Sequence, residues 1–136
     1  MLKKYNAKAT FFVTCGDSLS PDKIKKLKDL RDDGHEIGFH GTVHGVSTVM
    51  IEGLGPQKYK DTELSPGLAF MKQAGFTPTS YAHPGGNHNR QVDSVLFANG
   101  FTILRDVAIA NRTYKGIPLY SIAPRVMNWI YYPFRK

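Results

Sequence analysis

The sequence predicts an α/β protein whose parallel strands are joined by crossing helices, an open sheet or a (β/α) barrel. Three observations carry that reading. Short apolar runs of strand length, at residues 9–14, 35–40, 79–83 and 101–104, alternate with longer segments in which apolar residues recur at helical spacing. Helix punctuation falls between these runs, with Ser20-Pro21-Asp22 as a start and Gly34 and Asn99-Gly100 as stops. Two histidines, His40 and His83, close strand candidates at the carboxyl end, where such sheets keep their ligands.

In chain order, residues 1–7 read as the last turn of a helix, with Lys3 and Lys4 suited to its C-terminus and Asn6 to a left-handed cap. Residues 9–14 are apolar and β-branched almost throughout, which predicts a strand buried on both faces. Ser20 is the expected N-cap of the next helix, and Ile24, Leu27 and Leu30 form its apolar stripe up to Gly34. Residues 45–55 carry apolar side chains between glycines without a clear period. Residues 56–75 are helical in their second half, where Phe70 and Met71 are core, and Ser65-Pro66-Gly67 should break or restart the helix. A helix from Asn89 or Arg90 to Asn99 follows the third strand. Residues 118–122 suit a strand, and residues 127–134 form an aromatic tail that needs something to pack against.

The totals describe one ordinary globular domain over residues 1–136, with 41% hydrophobic and 21% charged residues. The net charge of +7 is spread along helical faces such as Lys23-Ile24-Lys25-Lys26-Leu27-Lys28, so a solvated face accounts for it better than a nucleic-acid partner. Cys15 stands alone, which excludes an intrachain disulfide and leaves it a buried bystander. The chain contains no run of eighteen apolar residues, and no charged-then-apolar leader precedes Ala9, so neither a membrane segment nor a signal peptide is expected within it.

The stretch from Gly34 to His44 is the centre of the reading. It predicts a buried strand that ends at His40, then a helical turn that brings His44, four residues on, to the same point. Two imidazoles so placed suit one divalent metal. Of the other acids nearby, Glu36 is too far along the strand, and Asp32 and Asp33 lie behind it. His35 reads as a capping or surface residue. His83 alternates away from Ala82, which favours a packed histidine over a further ligand, and His88 has no assigned role.

Three segments together resemble the polysaccharide deacetylase (NodB-homology) family: Lys8-Ala9-Thr10-Phe11-Phe12-Val13-Thr14, then Gly34 through His40 to His44, then Ala82-His83-Pro84-Gly85-Gly86. The resemblance implies a partial (β/α) barrel of the NodB type lacking its first strand. It also implies a metal-dependent hydrolase, with zinc the usual ion, that removes N-acetyl groups from an acetylated amino-sugar polymer. His40 and His44 would bind the metal, Gly85 would lend its backbone N–H to the oxyanion, and Thr42 stands beside the position where the family usually has Ser or Thr, here Gly41. The sequence departs from the pattern elsewhere. The family's aspartate pair has no counterpart after Met1, its arginine aligns with Ala82, and no histidine follows His88. These gaps predict weak metal binding and negligible turnover by this chain, so an inactive relative or fragment that binds carbohydrate or metal stands as the alternative. They also leave the strand at residues 9–14 with an open edge, to be covered by the aromatic tail or by a homodimer.

Overall fold

The computed structural model describes residues 2–14, 19–106, 112–114 and 117–119. A short 3-10 helix, Leu2–Tyr5, ends at Asn6, whose φ of 48° is the left-handed conformation that asparagine tolerates. β1 (Thr10–Val13) follows, and α1 (Pro21–Asp32) crosses to β2 (Glu36–Phe39), which pairs parallel to β1 with Phe11 opposite Ile37. Ser20 is extended at the helix start but makes no side-chain capping bond, contrary to expectation. The fixed φ of Pro21 and the acidic Asp22 in the first turn provide the start instead. At the other end the N–H groups of Gly34 and His35 donate back to the carbonyls of Arg31 and Leu30, at 2.8 and 3.0 Å, and close the helix.

β1 is not buried on both faces as its composition predicted. Thr10 is exposed and Phe11 to Val13 are half-buried, whereas Ile37, Gly38 and Phe39 of β2 are buried. The sheet order β1-β2-β3-β4 explains this, because β1 is an outer strand with one neighbour among the described residues and β2 has two.

The middle of the chain is more helical than its glycines suggested. α2 (Ser47–Leu54) fills the stretch without a period, α3 (Pro56–Tyr59) follows, and one π-helical turn (Lys60–Leu64) leads directly into α4 (Ser65–Gln73). Pro66 therefore does not break the helix. The Ser65 N–H bonds to the Lys60 carbonyl five residues back, and this widened turn brings the chain to the proline, whose missing N–H the ordinary ladder could not accommodate. Gly67 lets α4 lie against the sheet. A Cβ there would stand 2.6 Å from the Phe39 ring and 2.7 Å from Thr42 Oγ1.

β3 (Ser80–Ala82), buried throughout, runs into a 3-10 turn (Pro84–Gly86), α5 (Arg90–Ala98) and β4 (Ile103–Arg105). Asn89 caps α5 by accepting the Val92 N–H at 2.9 Å. β5 (Arg112–Tyr114) and β6 (Ile117–Leu119) form an antiparallel pair, so the strand expected at 118–122 begins earlier; its remainder, the aromatic tail and Cys15 lie outside the described residues.

Four parallel strands in chain order with helices between them are the predicted α/β arrangement. The core includes Phe39, Ile51, Leu64, Met71, Val92 and Leu96, with Phe39, Tyr81 and Phe101 in mutual ring contact at 5.3 to 6.1 Å. Among the described residues no helix is long and apolar enough to cross a membrane.

Candidate functional site

His40 lies one residue past β2, where the strand's last ladder bond carries its N–H to the Val13 carbonyl at 2.9 Å. Its Nδ1 is 2.8 Å from the Ala82 carbonyl, which can only accept. Nδ1 therefore carries the ring proton, and the lone pair of a neutral imidazole sits on Nε2. That atom is 3.0 Å from His44 Nε2, the two rings meeting edge to face with centroids 4.7 Å apart.

The pair meets by a route other than the helical turn expected. Residues 41–46 form a loop, Gly41 and His44 both have positive φ (88° and 58°), and α2 starts only at Ser47. A non-glycine residue in that region is strained and persists where its surroundings hold it.

Glu63 and Thr42 supply that hold. The Glu63 carbonyl accepts both the N–H and the hydroxyl of Thr42, at 3.0 and 2.9 Å. Thr42 Oγ1 in turn accepts the Gly67 N–H at 3.0 Å, and Glu63 Oε2 accepts the Val43 N–H at 2.9 Å. Thr42 is thus buried and anchors the loop. Glu63 is fully buried, and the loss of solvent pushes its carboxyl above the ordinary range against the pull of the N–H groups of Val43, Gly45, Thr42 and His44. This residue was invisible in the motif reading. Its signal was an acid between Tyr59 and Gly67 at a spacing of four, on an inward-facing stripe. The same carboxylate explains Gly41: a Cβ there would lie 2.0 Å from Glu63 Oε1, so neither serine nor threonine fits.

Gly85 sits in the turn beside this loop, exposed, with φ at 68°. A Cβ at Gly85 would be 3.7 Å from Val46, and one at Gly41 would be 3.6 Å from Pro84, so the turn and the histidine loop are neighbours. His35 accepts the Ala9 N–H at 3.2 Å and packs on Phe11, while Glu36 accepts the Thr10 hydroxyl at 2.6 Å. Both serve the strand pair, so His35 is half-buried between strands where a capping or surface residue was expected.

His83 goes elsewhere. Its buried ring faces Asp93, with Nε2 3.6 Å from Oδ1, and stacks on His88 at 4.7 Å. His88 bridges two acids, with Nδ1 2.9 Å from Asp93 Oδ2 and Nε2 2.6 Å from Asp106 Oδ2. Sequence reasoning noticed the two histidines and missed both aspartates.

The class defined so far is a parallel α/β protein with an imidazole pair at the carboxyl end of its sheet. The polysaccharide deacetylase family profile matches residues 1–104, more than half of the chain, and the protein belongs to that family. No curated protein matches it closely. Among solved structures it resembles a protein of Mycobacterium smegmatis classed with the polysaccharide deacetylases (22% identity, TM-score 0.65, covering 82% of this chain and 37% of that one). A family 4 carbohydrate esterase from Streptomyces lividans, in complex with acetate, gives 26% identity and a TM-score of 0.61, covering 78% and 53%. A family 4 acetyl xylan esterase from Clostridium thermocellum, in complex with a cobalt ion, gives 21% and 0.56, covering 93% and 67%. The chain thus spans 37% to 67% of the length of these three relatives.

Proposed function

We propose that the chain carries the metal-binding half of a hydrolase that removes N-acetyl groups from an amino-sugar polysaccharide, with His40 and His44 as the metal-binding pair. The observation that carries this reading is the approach of the two Nε2 atoms to 3.0 Å, with the Nδ1 proton of His40 committed to Ala82. Zinc–nitrogen bonds of roughly 2.0–2.1 Å set tetrahedral ligands about 3.3 Å apart. The pair fits such an ion with a small opening. A divalent metal bound there supplies Lewis acidity toward an acetamide carbonyl and acidifies water. The chain's own contributions are the fixed tautomer of His40, the anchorage of the loop by Glu63, and the backbone of Gly85 as a donor to the developing oxyanion. Exposed Val43, Val46 and Val49 offer apolar surface to the faces of sugar rings.

One observation favours the alternative of binding without turnover. Among the described residues, the group of donors able to hold a metal that includes a carboxylate is His83, His88 and Asp93, and no acid joins His40 and His44. Calorimetric zinc titration of the chain and of His44→Ala tests the pair: a weak binding event expected in the first should be missing in the second, whatever other zinc the two proteins share. Acetate release from acetylated chito-oligosaccharides then separates the readings. Negligible release with zinc or cobalt present is expected of this chain alone, and release at a rate ordinary for a hydrolase would mean that groups outside the pair complete the site.

A further inference from the structure

The His83 cluster plays no part in the proposed reaction, yet it gathers two imidazoles and two carboxylates in one place. Asp106 Oδ2 lies 2.6 Å from His88 Nε2, and a carboxylate oxygen at that distance accepts, so Nε2 carries a proton. His88 Nδ1 faces Asp93, 3.0 and 2.9 Å from its two oxygens. With the proton on Nε2, the Nδ1 lone pair points at an anionic group. Such a contact needs either a proton between the two groups or a metal ion. A metal draws on His83 as well, whose Nε2 is 3.6 Å from the same Asp93 carboxylate.

We propose that His83, His88 and Asp93 form a second site for a divalent transition metal of the zinc class, with Asp106 orienting His88 from behind. One ligand atom from each of the three residues lies within 4.8 Å of the others. The spacings of 2.9 and 3.6 Å to Asp93 bracket the edge of about 3.3 Å that a tetrahedral zinc site requires. Asp106 stands where a carboxylate commonly supports a ligating imidazole. Two nitrogens and one oxygen suit zinc or cobalt and disfavour calcium or magnesium, which prefer oxygen alone. Near-complete burial gives the site a structural character. The ion would tie His83 and His88, at either end of the Pro84–Gly86 turn, to α5 and to the end of β4, fixing the turn that holds Gly85.

The test uses the full chain carrying His40→Ala and His44→Ala together, so that its outcome is independent of the first pair. Loaded with cobalt and desalted, this protein should keep one ion per chain and show the visible absorption of tetrahedral cobalt. Adding His88→Gln should abolish both signals. Asp106→Asn, which leaves all three ligands, should weaken cobalt by about 10- to 100-fold. X-ray absorption on the cobalt-loaded double variant reads the ligand set directly, two imidazoles and one carboxylate, without requiring that further variants fold. A double variant that retains no cobalt, or cobalt whose neighbours lack imidazole, overturns the proposal and assigns the cluster to a protonated His88 held between two carboxylates.

Discussion

The two histidine clusters share a strand end and little else. Ala82 and His83 are consecutive, yet the carbonyl of the first orients His40 in a half-open loop while the side chain of the second enters a buried group of acids and imidazoles. The open pair is assembled over four residues and held from beneath by Glu63; the buried group draws on a strand end, a loop, a helix and a second strand end. Local assembly makes the pair depend on few elements, and under the proposed function its nitrogens need part only slightly to admit an ion. Assembly across elements leaves the buried group dependent on the packing of the whole sheet edge.

The comparison can be broken most severely at Gly41. Gly41→Ala places a Cβ in a strained φ and against Glu63, and should cost about 3 kcal/mol, read as a lower midpoint in urea, together with loss of zinc at the open pair. A midpoint within experimental error of the parent would show that the loop reorganises freely.

Glu63→Gln sharpens the contrast through pH. The folded-state pKa of Glu63 is raised above its ordinary 4.5, so its contribution to stability is fully present below the unfolded value and is lost as pH rises through the folded one. The glutamine variant lacks that titration and should gain on the parent as pH rises from about 4.5 toward neutrality. Urea midpoints for both proteins across that range check the sign, and a parallel pair of curves refutes it.

The smallest effect falls on the buried side. Asn89→Ala removes the cap that starts α5, the helix carrying Asp93, and should cost about 1 kcal/mol. Zinc affinity at His40 and His44 should not change. If it falls, the two clusters are coupled through the turn between them.

The strand and helix order was legible because buried parallel strands and helical stripes have distinct periods. The hydrophobic pattern alone hid which strand lies outermost, since Phe11 and Phe12 read as fully buried; the open edge at residues 9–14 was implied only by the family resemblance with its missing strand. His40 and His44 stand out because their separation in sequence is short. The geometry between them was misjudged because glycine at 41 permits a left-handed turn that a helical reading ignores. Asp93 and Asp106 were unreadable as partners of His88, one masked as an ordinary acid in a first helical turn and the other as a residue after a strand.

The π turn at Lys60–Leu64 acts as an index mark for the helix around it. A turn closed by a bond five residues back accommodates one more residue than its α-helical neighbours, and so it keeps Tyr59, Glu63 and Gly67, spaced by four, aimed at the same surface instead of drifting around the axis. Deleting a single residue there would restore an ordinary pitch and rotate everything that precedes it by about a quarter turn relative to α4. Glu63 would then face away from the loop. The position of the open histidine pair is in this sense metered by the residue count of a helix that contributes no ligand to it.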